Sequence, residues 1–424
     1  MERTFVSDLK AGEEVLVKGW IYEIRDLAKL KFLLIRDMTG IVQCVVKGDE
    51  LMEKTKDFGL EYSVLIKGKV KESNVKAEFV RPDIELVVED IELINKAERL
   101  PIQINDNNVE TELSTRLDNR FLDIRKPKIQ AIFNIESTIM QAFREFMVKE
   151  NRAMEAVFPS IIGASSEGGT ELFKAKYFDR EVFLSQSCQL YKQMLACSLE
   201  RVFTIFTVWR AEKHNTIRHL NEARQFDYEE AFCDEFKVME VLAKVVQFMV
   251  KELLEKNKKD LEILNVELKV PETKYLTFEE VRGLMYKEGV FCGEHDLNTD
   301  AEKKLGELYP DTIVFVHDWP IAGKPFYIMP KGEGLSGGFD AIYKGMEIAS
   351  GGQRVHIPEI LEKQLQERDL DPKDFKDYID SFRYGAPPHA GWGMGLERLT
   401  MLFLGIQNIR EVVLFPRDRT RITP

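Results

Sequence analysis

Three short segments of this 424-residue chain carry charged side chains of the types that bind phosphate groups and magnesium. Arg210 and Arg398 each offer a planar fork of donors that matches phosphate oxygens. Glu347 and Ser350 lie three residues apart and bring hard oxygen atoms that suit Mg²⁺. The motif G-x-x-x-x-G-K-[ST] and a strand-linked G-x-G-x-x-G are both absent. These residues therefore indicate phosphate chemistry without a P-loop or a Rossmann fingerprint.

Composition and charge narrow the class of protein. The chain is 44% hydrophobic and longer than one domain of about 100–200 residues, so we expect at least two domains. The net charge of −12 argues against broad, nonspecific coating of nucleic acid and leaves room for local contacts. No apolar run approaches the roughly 18 residues of a membrane span, and the N-terminus lacks the apolar core of a signal peptide. We expect a cytoplasmic protein without a membrane partner.

The cysteines and histidines do not indicate a disulfide framework or a transition-metal site. The five cysteines are odd in number and scattered, and they form no C-x-x-C pair. The six histidines show no ligand spacing with cysteines or carboxylates. A reducing cytosol fits this pattern.

The first 95 residues predict five strands with one helix between the third and the fourth. This order is typical of a five-stranded OB barrel, a fold whose exposed strands commonly bind single-stranded oligonucleotides. The strands are predicted at EVLVKGWIYEI, KFLLIRD, IVQCVV, YSVLIKGKV and AEFVRPDIELVVEDIELI, and the helix at GDELMEKTKDFG.

Residues 96–127 are polar, contain proline and are only weakly periodic, so we expect a linker or hinge there. A second domain is predicted over 128–424, opening with a helix of about 20 residues. Short turns between several of its strands favour an antiparallel sheet with flanking helices, which makes the fold class α+β. Its strands are predicted at EVFLSQS, RVFTIFTVW, ARQFDYEEAF, TIVFV, PFYIM, GFDAIYKGMEIAS and VVLF.

Three segments of the chain resemble the signature motifs of class II aminoacyl-tRNA synthetases and occur in the order expected for that family. The resemblance covers essentially the whole chain. Residues 128–159, a helix and then a strand, resemble motif 1. The run W-R-A-E-K-H-N-T-I-R-H-L-N-E resembles motif 2, and G-W-G-M-G-L-E-R resembles motif 3. An OB barrel ahead of this catalytic domain is the arrangement of the subgroup serving aspartate, asparagine and lysine. The resemblance implies ATP, an amino acid and tRNA as substrates, Mg²⁺ as cofactor, and a homodimer.

Within that subgroup, the segment S-C-Q-L-Y-K-Q at 187–193 resembles the S-x-Q-L-Y-K-Q of aspartyl enzymes. Lys192 is the discriminating residue, because asparaginyl enzymes place an apolar residue there. The C-terminal F-P-R-D-R-T-R-I-T-P is similar to the end of the archaeal type. The resemblance implies an aspartate–tRNA ligase that forms aspartyl-adenylate and loads the 3′ end of tRNA-Asp. It leaves open whether tRNA-Asn is also a substrate.

A pocket for aspartate must neutralise a carboxylate in partly dry surroundings, which one or two buried cations can do. Lys192 and Arg354 are the candidates. The resemblance also implies that Arg210 clamps the α-phosphate and that Arg398 binds the far phosphates. The expected aspartate-binding residues are Glu167, Gln189, Lys192, Asp227, Ser350 and Arg354. The expected ATP-binding residues are Arg210, Glu212, Arg218, His219, Leu220, Glu347, Gly395 and Arg398, and those expected to hold Mg²⁺ are Glu347, Ser350 and Asp340.

Anticodon recognition is expected on the barrel, since RNA readers commonly stack unpaired bases on aromatic side chains. The resemblance assigns this role to Arg25, Phe32 and Gln43, although a Phe in this strand could equally be a core residue. Three other functions stay open: an asparaginyl ligase, a tRNA-independent enzyme that amidates aspartate, and a non-catalytic RNA-binding relative. Lys192 argues against the asparaginyl ligase, and the intact barrel argues against the amidating enzyme. The presence of Arg210, Glu347 and Arg398 argues against a non-catalytic relative.

Overall fold

The computed structural model describes residues 1–27, 29–105, 111–163, 171–213 and 216–424. The chain divides into two compact units, Met1–Gln130 and Ala131–Thr423. None of the helices in this described part combines the length and apolar character that a bilayer crossing requires.

The first unit is a closed five-stranded barrel with strand order β1-β2-β3-β5-β4. Its interior is filled by aliphatic side chains from alternate positions of every strand, such as Leu33 and Ile35 of β2. The predicted OB architecture, including the helix between the third and fourth strands, is confirmed. The strands and helices are β1 (Glu14–Leu27), β2 (Leu30–Arg36), β3 (Ile41–Val46), α1 (Asp49–Lys54), β4 (Ser63–Glu72), β5 (Val80–Asn95), α2 (Leu113–Asp118) and α3 (Arg120–Asp123).

The expectation of an unpacked linker over 96–127 is wrong for the described part of that segment. Ile102, Ile104 and Leu122 are buried against barrel residues that include Tyr22 and Leu34. The sequence of this segment looks polar because its apolar residues are few and irregularly spaced, yet Ile102, Ile104, Leu117 and Leu122 are all buried. It therefore belongs to the first unit, which runs to Gln130.

The second unit is built on an eight-stranded sheet with order β12-β13-β16-β17-β18-β11-β10-β6. Most neighbouring strands are antiparallel, as predicted, and the two pairs at the ends of the sheet are parallel. Its elements are α4 (Pro127–Glu145), β6 (Met154–Glu155), β7 (Ile161–Ile162), β8 (Lys174–Tyr177), β9 (Arg180–Leu184), α5 (Gln189–Leu199), β10 (Arg201–Trp209), β11 (Glu222–Ala231), α6 (Glu235–Lys256), α7 (Lys258–Leu264), β12 (Glu272–Thr277), α8 (Phe278–Lys287), α9 (Thr299–Leu308), β13 (Thr312–His317), β14 (Pro330–Gly332), β15 (Leu335–Ser336), β16 (Gly338–Tyr343), β17 (Met346–Gln353), α10 (Pro358–Gln366), α11 (Lys376–Phe382), β18 (His389–Gly395) and α12 (Leu396–Leu404).

The two faces of the sheet differ in chemistry because side chains alternate along each strand. On β11, Phe226 and Tyr228 point to an aromatic layer in which Phe143 of α4 lies 4.3 Å from Phe226, centroid to centroid. Trp392 of β18 joins this layer and is fully buried. The intervening residues of β11, among them Asp227, point to the opposite face. The aromatic layer thus anchors the strands that carry polar groups on their other side.

Several details of the strand prediction are wrong. PFYIM (325–329) is a turn with a single bridge at Ile328, and VVLF (412–415) follows a short helical turn that ends at Val412 and forms no strand. Strand β12, strand β18 and the short strands β7, β8, β14 and β15 were not predicted. Glycine has a low strand propensity, so the glycine-rich G-W-G-M-G does not look like a strand. In the sheet, however, these glycines let neighbouring groups approach closely.

Replacing Gly391 by Ala should lower the free energy of unfolding by about 2 kcal/mol or more. A Cβ there would lie 2.1 Å from Oε2 of Glu229 and 2.2 Å from the carbonyl oxygen of Tyr228. Urea unfolding followed by circular dichroism measures the change. The matched control is Gly283→Ala on α8, where the new Cβ meets nothing within 4 Å. This control should stabilise the protein by about 0.5–1 kcal/mol. Equal effects at the two positions would contradict the steric argument.

Candidate active site

A cavity of about 270 Å³ opens among the ends of β10, β11, β17 and β18. The polar residues Gln225 and Ser350 also border it. All the residues that the sequence predicts to bind ATP line this cavity: Arg210, Glu212, Arg218, His219, Leu220, Glu347, Gly395 and Arg398. Their binding of ATP stays a prediction, but the fold brings side chains from distant parts of the sequence to one opening.

The cationic wall of the cavity begins where β10 ends. Arg210 is partly exposed, and its guanidinium lies 3.7 Å from the carboxylate of Glu212. The side-chain amide of Asn221 donates to the carbonyl oxygens of both residues, at 2.7 and 3.1 Å, and so ties the segment after β10 to the start of β11. The sequence analysis did not select Asn221, and no signal in the sequence distinguishes it from any loop asparagine. His219 is held by Thr216, whose Oγ1 lies 2.6 Å from Nδ1.

Acidic groups gather at the other end of the cavity. Glu347 lies 3.9 Å from Arg398, and both burial and the nearby charge of Asp340 raise the pKa of the Glu347 carboxyl. Asp340 itself does not line the cavity; it accepts a hydrogen bond from Lys324 at 2.7 Å and stands opposite Ser350 in the β16–β17 pair. A bulge in β17 between these registers brings Glu347 and Ser350 to the same face despite their odd spacing.

The described residues contain no group of three or more histidine, cysteine, aspartate or glutamate side chains arranged to hold a metal ion by themselves. The predicted set of Glu347, Ser350 and Asp340 therefore does not form a complete cage. It fits a magnesium ion that takes one or two carboxylates from the protein and its other ligands from phosphates and water.

Next to the cavity, four charged side chains are buried together. Nζ of Lys192 lies 2.8 Å from Oδ1 of Asp227 and 2.9 Å from the carbonyl oxygen of Trp392. Arg354 donates through Nε and Nη2 to the two carboxylate oxygens of Glu229, at 2.8 and 3.3 Å. A longer contact of 3.5 Å from Lys192 to Glu229 joins the two pairs. All four side chains are at most 3% exposed, so each charge depends on its partners.

Neighbouring charges keep both members of the pair Glu229 and Arg354 ionised. Burial by itself would raise the pKa of the Glu229 carboxyl, but attraction to Arg354 and Lys192 outweighs it and the pKa lies below its usual value. Burial would likewise lower the pKa of Arg354, and the charge and hydrogen bonds of Glu229 more than compensate for it. Glu229 is the main residue that the sequence analysis left without a role. Its two-residue spacing from Asp227 on a strand was the available signal.

Oδ2 of Asp227 and Nε2 of Gln189 are buried beside this cluster, and neither has a hydrogen-bond partner among the residues that the structure describes. Buried polar groups are almost always paired, so such atoms mark a place where a ligand can complete the bonding. One is an acceptor and one is a donor, as a zwitterionic amino acid requires. Glu167, the remaining residue predicted to bind the substrate, lies outside the described residues.

Glu397 is a further buried carboxylate, at the floor of the cavity, and it was not among the predicted site residues. Both oxygens of Glu397 accept from the backbone N–H of Arg224, at 2.9 and 3.1 Å. Burial raises the pKa of Glu397 to about 7, while the Arg224 side chain and N–H act in the opposite direction. Glu397 precedes Arg398 at the start of α12, so this bond holds Arg398, which lines the cavity, close to β11.

The barrel brings together the three residues that the sequence predicts for anticodon binding. Arg25 and Phe32 are direct cross-strand neighbours on β1 and β2, and Gln43 lies on the adjacent strand β3. Phe32 is half-buried and is not part of the barrel core, so the interpretation as a core residue does not hold. Nε2 of Gln43 donates to Glu85 at 3.2 Å. Glu85 thus joins this surface, although the sequence analysis did not select it.

Comparison with known families accounts for both units. The model for "tRNA synthetases class II (D, K and N)" matches residues 112–419, and the model for "OB-fold nucleic acid binding domain" matches residues 15–94. The chain belongs to the class II tRNA synthetases. The family that the sequence analysis inferred from the three motifs is therefore confirmed, and tRNA, ATP and an amino acid are the substrates that fit it. Class II synthetases typically use ATP together with a divalent metal.

Similar synthetases cover the whole length of the chain. An aspartate–tRNA(Asp/Asn) ligase of Methanocaldococcus jannaschii is 43% identical over 97% of this chain and 95% of its own. An aspartate–tRNA(Asp) ligase of Thermoplasma acidophilum is 40% identical over the full length of both chains. Among solved structures, the asparaginyl-tRNA synthetase of Pyrococcus horikoshii complexed with asparaginyl-adenylate matches with a TM-score of 0.93 and 35% identity, covering 100% of both chains.

The raised pKa of Glu397 predicts a dependence of stability on pH. The unfolded carboxyl releases its proton near its ordinary pKa of 4.5, whereas the folded one keeps it to about pH 7. Folding is therefore favoured below pH 4.5, and this contribution is lost as the pH rises to about 7. Glu397→Gln removes the loss, so its unfolding free energy relative to wild type should increase by about 3 kcal/mol between pH 4.5 and pH 8.

Urea unfolding of both proteins at several pH values measures this difference. The absolute stability of the variant can change for other reasons, and only the slope of the difference against pH tests the argument. A difference that stays flat from pH 4.5 to pH 8 would show that the folded carboxyl has an ordinary pKa.

Proposed function

We propose that this chain is an aspartate–tRNA ligase, which activates L-aspartate with ATP and transfers it to the 3′ end of tRNA-Asp. The observation that carries the proposal is the buried set of two cations and two carboxylates beside the phosphate-facing cavity. The names of the curated relatives agree with this choice of amino acid. The asparaginyl neighbour among solved structures keeps an asparaginyl ligase as the alternative.

The charges of the buried set explain a preference for aspartate. The unpartnered Oδ2 of Asp227 can accept the substrate α-ammonium group, which weakens the hold of Asp227 on Lys192. One Lys192 hydrogen then has only the 3.5 Å contact to Glu229, so it can turn to a substrate carboxylate with support from Arg354. An asparagine amide would place N–H groups against these N–H donors. Unpaired donors in a buried site cost about 1–3 kcal/mol each.

The activation step needs positioning and charge neutralisation more than it needs a base. The α-carboxylate of aspartate attacks the α-phosphorus, an oxygen–phosphorus bond forms, and pyrophosphate leaves with the electron pair of the bond that breaks. In this proposal Arg210 holds the α-phosphate and Arg398 the far phosphates, because both border the same cavity. In the second step a ribose hydroxyl of the tRNA end attacks the aspartyl carbonyl and AMP leaves.

Mg²⁺ is proposed to enter with ATP and to be held by Glu347, with Ser350 and Asp340 contributing directly or through water. The pKa of Glu347 is raised by burial and by Asp340, so this corner carries an excess of negative potential that a cation relieves. When bound, the metal would neutralise negative charge on the phosphates. Arg398 and Lys324 supply fixed positive charge next to Glu347 and Asp340, respectively.

We also propose a homodimer, in which residues 148–161 and 177–178 contribute to the interface. These two stretches expose several large apolar side chains that a monomer would leave in water, and association with a second copy would bury them. They are Val148, Met154, Val157, Ile161, Tyr177 and Phe178.

Charging two purified tRNAs with labelled aspartate tests the function. The proposal requires aspartylation of tRNA-Asp, and incorporation of asparagine instead would establish the alternative. The relative from M. jannaschii is named for both tRNAs and that from T. acidophilum for tRNA-Asp alone. The result with tRNA-Asn therefore decides which of the two specificities this chain has.

Lys192→Leu should reduce aspartate-dependent ATP–pyrophosphate exchange by about 100-fold or more, since a buried charge left unpaired costs about 3–5 kcal/mol. The loss should be far smaller for asparagine, whose neutral amide does not need the cation. The control Lys363→Leu changes a lysine on α10 that is 75% exposed and should leave exchange unchanged. A thermal melt of each variant separates loss of folding from loss of activity. Near-normal exchange in a folded Lys192→Leu protein would remove Lys192 from the aspartate site.

A further inference from the structure

His389 is a histidine close to the buried charges that the proposed reaction does not use. It begins strand β18 and is fully buried. Its carbonyl oxygen accepts from the backbone N–H of Arg354 at 2.8 Å, so it is tied directly to one of the two buried cations. Its ring faces helix α5, which carries the other cation, Lys192. One residue therefore connects the backbone of Arg354 with the helix that carries Lys192.

Both nitrogens of the His389 ring have hydrogen-bonding neighbours. Nδ1 lies 2.9 Å from the carbonyl oxygen of Pro387, and Nε2 lies 3.2 Å from Oε1 of Gln193 on α5. The hydroxyl of Tyr378 on α11 donates to the same Oε1 at 2.8 Å. The side chains of His389, Gln193 and Tyr378 are all buried, with at most 3% of each residue exposed. Elements α5, α11 and β18 are thus joined by one buried chain of hydrogen bonds.

The ring can hold Gln193 in its neutral form. Burial lowers the pKa of His389, although the charge of Glu229 acts in the opposite direction. A neutral imidazole carries one hydrogen, and the carbonyl oxygen of Pro387 requires it on Nδ1. Nε2 then accepts, and a half turn of the Gln193 amide presents an N–H to it. The Tyr378 hydroxyl accepts as well as donates, so both contacts to Gln193 are kept.

The side chain of Gln193 is held at one end only, by His389 and Tyr378. Its other amide atom, Nε2, is buried without a partner among the described residues. Gln189, Lys192 and Gln193 follow one another at helical spacing along the buried face of α5. This helix has only 11 residues, and helices so short depend on tertiary contacts for their position. The amide of Gln193 therefore helps to fix the face of α5 that presents Gln189 and Lys192.

Lys192 depends more on this support once substrate is bound. Its ammonium group is tied to Asp227 and to the carbonyl oxygen of Trp392. In the proposed complex Asp227 turns to the substrate α-ammonium group, which weakens the first of these ties. The contacts of Gln193 lie one residue further along the helix and involve no group of the substrate. They stay in place when aspartate is bound and keep Lys192 directed at the pocket.

We propose that His389 is a positioning residue of the aspartate site, which acts through Gln193 on the helix that carries Lys192. The inference rests on the proposed function, because it concerns the binding of aspartate. Loss of the contact should weaken the binding of aspartate and leave that of ATP unchanged, since His389, Gln193 and Tyr378 do not line the candidate ATP cavity. A purely structural role would instead lower stability and affect both substrates together.

Two conservative variants separate the two ends of the ring. The longer amide of His389→Gln can take the place of Nε2 and retain the contact with Gln193. The shorter amide of His389→Asn can take only the place of Nδ1 and retain the contact with Pro387. His389→Asn should raise the KM for aspartate about tenfold, as expected for a lost buried hydrogen bond, and His389→Gln should stay within about threefold of wild type. Aspartate-dependent ATP–pyrophosphate exchange gives both KM values, and the KM for ATP should change less than about twofold in either variant.

Tyr378→Phe is a second variant, which keeps the ring and removes only the hydroxyl on the other side of Gln193. It should raise the KM for aspartate about threefold. The matched control Tyr286→Phe changes a tyrosine on α8 that is 87% exposed and should alter neither KM. A thermal melt identifies any variant that does not fold, and if His389→Asn does not fold, Tyr378→Phe decides.

Three results would overturn the proposal: the same KM for aspartate in His389→Asn and His389→Gln, an unchanged KM for aspartate in Tyr378→Phe, or a parallel rise in the KM for ATP. Absence of aspartate-dependent exchange in the wild-type protein would refute the proposed function itself, separately from the comparison among variants.

Discussion

Burying Lys192, Asp227, Glu229 and Arg354 together is the constraint around which the second unit is arranged. Each charge would be costly alone in a dry interior, and it is tolerated only because an opposite charge lies within hydrogen-bonding distance. These contacts require helix α5, strand β11 and the end of β17 to meet in one register. The glycines of β18 make that meeting possible, since Gly391 leaves the space that Glu229 occupies.

The aromatic face of the sheet gives the polar face its rigidity. Phe226 and Tyr228 alternate with Asp227 and Glu229 along β11, so the same strand is fixed by packing on one side and carries charge on the other. Trp392 shows the same division on β18, because its ring fills the aromatic layer while its carbonyl oxygen accepts from Lys192. Selective binding of a small ligand requires side chains that are held within a fraction of an ångström, and dense aromatic packing holds the polar face of this sheet in that way.

The elements that could be predicted from the sequence are those whose local residue pattern agrees with their packing in the fold. The barrel strands follow a simple alternation, and the charged motifs already contain the residues that meet in the cavity. The sequence could not reveal Glu397 or Asn221, whose importance comes from partners far along the chain. It also misjudged β18, because a glycine-rich strand exists only through the close approach of its neighbours. The linker was misjudged for a related reason, since a few buried apolar residues at irregular spacing leave no periodic signal.

Residues 208–213 alternate between the cavity that Val208 and Arg210 line and a second opening lined by Trp209, Ala211 and Lys213, and this alternation limits how the segment can change. The pair Arg210 and Glu212 looks like a chemical signature, but its spacing is also the repeat of an extended chain. Inserting or deleting one residue there would exchange the two sets of side chains, so that Trp209 would face the first cavity and Arg210 the second opening. A substitution in this segment changes one side chain in one opening, whereas a change in its length moves every side chain that follows to the other side.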